Sequence, residues 1–243
     1  MYYQTMSIAF ISDLHLEPIE NKRAKAFFQF IDNAVNKHEE LYILGDFFEY
    51  WIGDDDTQPI NKSIMQKLKY ASDNGLKIYF IHGNRDFLIG SDFESETGVR
   101  ILEDQYTFNL EDKKIMIAHG DTFCIDDVEY QEMKKEIRSD SWKKDFLAKS
   151  ISERVDFAND LRKRSAERNS NKPENIMDVN DDYVLEIIER EKIDILIHGH
   201  THRPAVHKLS NGSTRAVLGS WEDSGSVIEY SQGNIELNSF SFD

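Results

Sequence analysis

The chain has 243 residues, enough for one large domain or for one domain carrying a sizeable insertion. Forty per cent of the residues are apolar, and no apolar run approaches the roughly 18 residues that a membrane span needs, which excludes a helical span. A formal net charge of −16 argues against a non-specific nucleic-acid binder, which carries a basic stripe, and a lone cysteine, Cys124, excludes an internal disulfide.

Single-cysteine usage fits a reducing cytoplasm, and Cys124 reads as a small buried hydrophobe. The opening stretch MYYQTMSIAFISDLHLEP has no basic region and no small-residue cleavage site, so it reads as a first strand rather than a signal peptide. Short apolar runs follow at 8–11, 41–44, 78–81, 115–118, 193–197 and 216–218. Several are continuously apolar, the pattern of strands buried on both faces. Helical periodicity separates the early runs at about 22–37, 60–74 and 180–192, and this alternation is the α/β signature. Beyond 200, runs near 205–209, 214–219, 226–230 and 234–240, with turn signals at SNGS and SQGN, predict antiparallel strands and hairpins.

The stretch 126–175 differs. Trp142, Phe146, Leu147, Ile151, Ala158 and Leu161 recur mostly at spacings of three and four, with no strand signal. The pattern predicts a helical insertion between two strands, ending in the loop-like SAERNSNKPEN. Residues 134–172 carry twelve Lys/Arg against seven Asp/Glu, a local +5 that leaves −21 on the remainder. A positive segment on an acidic body suits an anionic partner; the plain alternative is a solvated helix face.

The residues just past each apolar run carry the chemistry. Asp13 and His15 stand after the first, Asp46 after the second, Asn84 after the third, His119 after the fourth, and His198 and His200 after the fifth. The carboxyl ends of strands in an open α/β sheet face the ligand crevice. A lone histidine or Gly-Asp there would be a core residue or a turn. Five in series, all oxygen or nitrogen donors, point to a metal site. Carboxylate, imidazole and amide oxygen suit Mn²⁺, Fe²⁺, Co²⁺ or Zn²⁺. Seven donors serve two ions if one carboxylate bridges, and two ions can clamp a displacement at phosphorus and generate hydroxide at neutral pH.

Asp-x-His, Gly-Asp, Gly-Asn, His-Gly and Gly-His-x-His in this order resemble the calcineurin-like metallophosphoesterases. That superfamily's third motif is usually Gly-Asn-His-Asp/Glu, and here it is GNRD. The departure, with LYILGDFFEYWIGDDD, YFIHGNRDFLIG, HGDTFCIDD, NIMDVN and LIHGHTHRPAVH, is similar to the UDP-2,3-diacylglucosamine hydrolase branch over nearly the whole chain. The region 136–160 and the segment GSWEDSG are the least similar.

The resemblance implies a layered α/β sandwich of two mixed sheets flanked by helices, with 1–125 and 176–243 as core and 126–175 as a helical cap. It implies Asp13, His15 and His200 on one Mn²⁺, Asn84, His119 and His198 on a second, and Asp46 bridging. Asn84, Arg85, Asp127, Ser165, Asn169, Lys172 and His198 would contact substrate, with Arg85, Asn84 and Asp46 catalytic. It further implies a lipid-nucleotide substrate, UDP-2,3-diacylglucosamine, a peripheral place on the cytoplasmic face of the inner membrane, no nucleic acid and no obligate protein partner. Phe146, Leu147 and Ile151 are either acyl-chamber residues or ordinary helix core. Arginine in place of histidine fits a diphosphate, whose leaving group is already a stable anion and needs charge stabilisation rather than a proton. The alternative for Arg85 is a salt bridge to Asp86 or another carboxylate. His38 reads as solvated, His202 as lying just outside the ligand set, His82 and His207 as non-ligands, and GDDD at 53–56 as a solvated turn or cap. Two rivals stay open: a metallophosphoesterase for another phosphodiester, and a scaffold without activity.

Overall fold

A computed structural model describes residues 7–17, 19–56, 58–169 and 176–242, and the side chains of all of these except 165–169. The strands are β1 (Ser7–Ile11), β2 (Glu40–Ile43), β3 (Lys77–Phe80), β4 (Arg100–Ile101), β5 (Gln105–Leu110), β6 (Lys113–Ala118), β7 (Ile195–His198), β8 (Ala205–Lys208), β9 (Thr214–Val217), β10 (Ser224–Ser231) and β11 (Asn234–Ser241). The helices are α1 (Lys22–Lys37), α2 (Pro59–Asp73), α3 (Ser91–Thr97), α4 (Val128–Ile137), α5 (Asp140–Leu147), α6 (Ile151–Asn169) and α7 (Asp181–Glu191). Within the stretch read as a helical insertion, the described residues form α4, α5 and α6, which follow β6. The short helix α3 and the strands β4 and β5 were not expected. α3 has seven residues, too few to show a period, and β5 is half-buried and flanks the sheet edge.

Two mixed sheets form, in the orders β11-β10-β1-β2-β3-β4 and β5-β6-β7-β9-β8. The parallel pairs β1–β2–β3 and β6–β7–β9 lie at their centres. Strand alternation sorts the side chains into three layers. Ile8, Phe10, Tyr42 and Leu44 meet Ile115, Ile117, Ile195 and Ile197 between the sheets. Ala9, Ile11, Leu41 and Ile43 face the other way, onto Phe27, Ile31, Ile64 and Leu68 of α1 and α2. Met116, Ala118 and Leu196 pack on Val184, Ile187 and Ile188 of α7. Both faces of the central strands are therefore covered, which is why their sequences are continuously apolar. Cys124 sits in the third layer as expected, with burial pushing its thiol up to about 12.

Two expectations are corrected here. His38 is not solvated: it is buried against Ser7 Oγ (2.9 Å) and Glu229 (3.2 Å), and burial lowers its pKa. The GDDD stretch is an anchor rather than a solvated turn. Asp54 accepts from the Gly90, Asp92 and Phe93 amides, capping α3 from outside because Gly90 at its N-cap has no side chain to do so. Asp56 accepts from the Gln58 amide and Asn61. Asp55 takes both terminal nitrogens of Arg154 (2.7 and 2.5 Å), which also donates to the Ile52 carbonyl. This ties α6 to the core.

Arg154 is 2% exposed, whereas the Asp55 side chain is 61% exposed. Removing the aspartate strands a buried cation; removing the arginine leaves an aspartate that water can solvate. Asp55→Asn should therefore destabilise more, by about 2–4 kcal/mol, than Arg154→Met, by about 1–2 kcal/mol. Urea unfolding of the two variants checks the order, and the reverse order would show that the pair is not the anchor.

Candidate active site

The chain leaves β1, β2, β3, β6 and β7 at one edge of the two sheets, and the candidate donors follow. Parallel pairing continues past the strands: Asp13 N donates to Gly45 O, His15 N to Asp46 O and Leu16 N to Phe47 O. These loops are strained. Asp13, His15, Asp46, His200 and His202 all have positive φ, between 48° and 68°, a region that non-glycine residues seldom adopt. Two glycines allow the close approach. A Cβ on Gly83 would meet Asp46 N and Oδ1 at 2.2 Å, and one on Gly199 would meet Ser12 Oγ at 2.1 Å and Asp13 Oδ2 at 2.2 Å.

The result is a knot of acceptors with few protons to share. Asp13 and His119 are essentially buried, and so is Asp46. Asp13 Oδ2 accepts from Ser12 Oγ (2.5 Å) and His200 N (2.9 Å), while among the described residues buried Oδ1 has no hydrogen bond within ordinary geometry. His119 Nδ1 lies 2.8 Å from the Leu44 carbonyl, which can only accept, so neutral His119 carries its proton there. Its Nε2 lone pair then faces Asn84 Oδ1 at 3.0 Å and lies 3.7 Å from Asp46 Oδ1. Lone pairs at that separation repel unless a positive charge lies between them. Burial pulls the His119 pKa down, yet Asp46, Asp13 and Asp121 outweigh it and hold it above the usual range. The potential here is that of a cation site, and a divalent ion meets it with the donors present.

Asp13, Asp46 and His119 bring one donor atom each within 4.8 Å of one another, and Asp13, His15 and His202 do the same. His200 Nδ1 lies 3.2 Å from His119 Nε2, and burial, with His119 beside it, lowers its pKa to about 4, keeping it a neutral donor. His198 departs from expectation. It ends β7 on the same face as Leu196, towards α7, with its ring edge-on to Phe123 at 5.9 Å and Nδ1 on the Gly199 carbonyl. His202, expected outside the ligand set, instead lies 3.4 Å from both Asp13 Oδ1 and His15 Nε2. His-x-His occurs twice in HGHTH. The frame that starts at the glycine, Gly199-His200-Thr201-His202, is the one the structure brings to the site.

A cavity of about 490 Å³ opens beside the knot. Its lining includes Glu49, Asn84, Arg85, Asp127, Tyr130 and Arg162 and also Phe87, Trp142, Phe146, Phe157 and Leu161. Asp127 also caps α4 through the Tyr130 amide (3.2 Å). Of the three apolar candidates, Phe146 lines the cavity, stacked on Trp142 at 4.7 Å. Leu147 and Ile151 are not among its lining residues and are exposed, at the end of α5 and the start of α6. The side chains of Ser165 and Asn169, and all of Lys172, lie outside the described residues.

Sequence reasoning missed Glu49 and Asp121. Glu49 receives Arg85 Nη1 (2.8 Å) and Arg162 Nε (2.7 Å) and lies 3.4 Å from His15 Nδ1. Burial raises its pKa, but these three partners outweigh it and hold it below the carboxylate range. Arg85 is thus salt-bridged to a carboxylate, and Asp86 is not its partner. Asp86 is buried, accepts from the Phe47 and Gly83 amides, and is pushed up to about 6 by burial and by Asp46. Asp121 accepts from Tyr130 Oη (2.6 Å) and is ion-paired with Lys134 (2.9 Å), joining α4 to the end of β6. Its HGD context carried a signal, but its partners only become neighbours once α4 packs.

A sequence model of the calcineurin-like phosphoesterase family matches residues 6–204. A protein of Pectobacterium carotovorum named UDP-2,3-diacylglucosamine hydrolase is 42% identical over 240 residues, which is 98% of this chain and all of that one. Proteins of the same name from Serratia proteamaculans (43%) and Escherichia coli (41%) match over the same shares of each chain. Among solved structures, a dimetal phosphatase from Danio rerio shares the fold at a TM-score of 0.52 and 13% identity, covering 98% of this chain and 99% of that one. This chain belongs to the UDP-2,3-diacylglucosamine hydrolases, a family of metal-dependent, calcineurin-like phosphoesterases.

Proposed function

We propose that the protein hydrolyses the pyrophosphate of UDP-2,3-diacylglucosamine by attack of water at the α-phosphorus, giving UMP and 2,3-diacylglucosamine 1-phosphate in lipid A biosynthesis. The observation that carries this reading is the cavity. Its lining includes Asn84 and Arg85, beside the donor knot, and the aromatic side chains of Trp142, Phe146 and Phe157 from α5 and α6. A cavity with both charged and aromatic walls suits a nucleotide sugar bearing acyl chains. In this reading 126–175 is a cap whose helices receive those chains, over a core formed by 1–125 and 176–243.

Two Mn²⁺ ions are the proposed cofactor, held by Asp13, His15 and His202 on one side and by Asn84, His119 and His200 on the other. When bound, they polarise phosphoryl oxygens and make water nucleophilic at neutral pH. Asp46 is the proposed bridge: β2 lies between β1, which leads to Asp13 and His15, and β3, which leads to Asn84. Its Oδ1 accepts the Arg85 amide (2.9 Å), so the carboxylate is held in place. Arg85 turns a fixed cationic fork to the diphosphate, stabilising charge as the sugar phosphate departs without a proton. Asn84 orients a phosphoryl oxygen, and Asp127, Ser165, Asn169 and Lys172 contact the head group. His198 takes no part in this scheme.

The proposed location is the cytoplasmic face of the inner membrane, bound peripherally. Among the described residues no helix is long and apolar enough to cross a membrane. Leu147 and Ile151 are exposed around the α5–α6 turn, where Lys144 and Lys149 are exposed too, so apolar and basic side chains occur together there. Lys143 is half-buried beside Arg138 and contributes less.

Metal analysis of Asp46→Asn should find both ions lost; one retained ion there, with none in Asp13→Asn, would move the bridge to Asp13. Turnover of UDP-2,3-diacylglucosamine should need Mn²⁺ and exceed that of unacylated UDP-N-acetylglucosamine. In ¹⁸O water it should label UMP, whereas label in the lipid product means attack at the β-phosphorus. In the same assay Arg85→Lys should lose roughly tenfold to a thousandfold in rate, since one transition-state contact is worth about 1.4–4 kcal/mol. Lastly, Lys144→Glu with Lys149→Glu should weaken binding to anionic vesicles, most at low salt; binding unchanged at every salt concentration places the membrane surface elsewhere.

A further inference from the structure

We infer that Glu49 is a positioning residue that sets the metal side and the anion side of the active site with one carboxylate. The inference deepens the proposed reaction and rests on that reading only for its turnover test.

Glu49 is held by its backbone before its side chain does anything. Its amide donates to the Leu16 carbonyl (3.0 Å), within the paired loops that follow β1 and β2. Trp51, two residues on, donates its amide to the Arg85 carbonyl (3.0 Å), so the loop bearing Arg85 is fixed to the loop bearing Glu49. The carboxylate then divides its two oxygens. Oε2 lies 3.4 Å from His15 Nδ1, a buried nitrogen with no hydrogen-bond partner among the described residues. A proton kept on that nitrogen leaves the His15 Nε2 lone pair facing the donor knot, where His202 Nε2 is 3.4 Å away. Oε1 receives Arg85 Nη1 at 2.8 Å and Arg162 Nε at 2.7 Å.

The charge balance gives the arrangement its use. Two guanidiniums share one carboxylate oxygen, and all three groups line the cavity, so this cluster keeps one uncompensated guanidinium charge for a phosphate group to meet. Arg162 belongs to α6 and Arg85 to the loop after β3, so Glu49 also sets how far a helix outside the sheets stands from the metal side. A carboxylate that merely fastened α6 to the core would not need an imidazole of the donor knot on its other oxygen. Arg154 with Asp55 already fastens that helix.

The test uses Glu49→Gln, which keeps the shape and removes the charge. Metal-stripped protein is titrated calorimetrically with Mn²⁺. One site should weaken about 10- to 100-fold, the usual cost of losing a partner of a metal-binding histidine, while the other stays within threefold. UMP is then titrated into wild type and Glu49→Gln at saturating Mn²⁺, each with and without Arg85→Lys. The loss of UMP affinity from Arg85→Lys should be at least threefold smaller in the Glu49→Gln background, because Arg85 has already lost its anchor. Turnover of UDP-2,3-diacylglucosamine should show the same shortfall in kcat. Both Mn²⁺ sites within threefold of wild type, or an equal Arg85→Lys penalty in both backgrounds, overturns the inference. If Glu49→Gln does not fold, Arg162→Gln replaces it; its partly exposed side chain does not hold the core. Arg162→Gln and Arg85→Lys should then combine non-additively by at least threefold in UMP affinity, and additivity overturns the shared anchor. A wild type that binds Mn²⁺ and UMP but leaves UDP-2,3-diacylglucosamine intact refutes the proposed reaction, while the Mn²⁺ and UMP titrations still decide the role of Glu49.

Discussion

Asp13 and Asp46, two carboxylates almost wholly removed from water, are held within a few ångström of each other and of His119. Buried like charges repel, and no lysine or arginine side chain donates to either one among the described residues. A cation would offset that repulsion, and the surrounding architecture fixes the two carboxylates in place. Paired backbone between the loops after β1 and β2, positive φ at Asp13, His15 and Asp46, and glycines that admit another backbone all impose the geometry from outside. The strain is supported by the two sheets, whose central strands are buried on both faces and cannot shift register without moving a whole layer of apolar side chains.

This explains how the site divides its labour. The donors stand at strand ends, where the scaffold is stiffest. The groups that tune them stand one step back, on loops and helices. Asp86 receives the Phe47 and Gly83 amides behind Asp46. Asp121 holds Tyr130 and Lys134 of α4. Glu49 reaches from the His15 side to two arginines. Each of these carboxylates connects a strand end to something brought in from elsewhere in the chain, so cavity and donor knot are coupled through charged contacts rather than through apolar packing alone.

The core strands were legible in the sequence because double-sided burial leaves them continuously apolar, and their donors because each sits just past such a run. The edges were harder. β5 is half-buried along its length, and α3 is capped by Asp54 from a distant loop, so neither announces itself locally. His198 shows the limit of reading a motif by spacing. In HGHTH two frames satisfy His-x-His, and strand alternation settles which rings reach the site: His198 follows Leu196 onto the α7 face. Glu49 looked like one more acid in a familiar run. Its partners lie at 15, 85 and 162, and only the fold makes them neighbours. GDDD was misjudged for the same reason, since Arg154 is remote in sequence from Asp55.

The first strand is paired on one side by β10, near the far end of the chain, with Ile8 opposite Tyr230 and Phe10 opposite Ile228. Nearby, Trp221 donates its amide to the Asp13 carbonyl (3.0 Å). A ribosome therefore releases the segment bearing Asp13 and His15 long before the segments that finish its surroundings. Until they arrive, β1 presents a naked, apolar edge of the kind that invites pairing with other chains. The loop that carries Asp13 and His15 is therefore braced by backbone encoded more than two hundred residues later as well as by its neighbour β2.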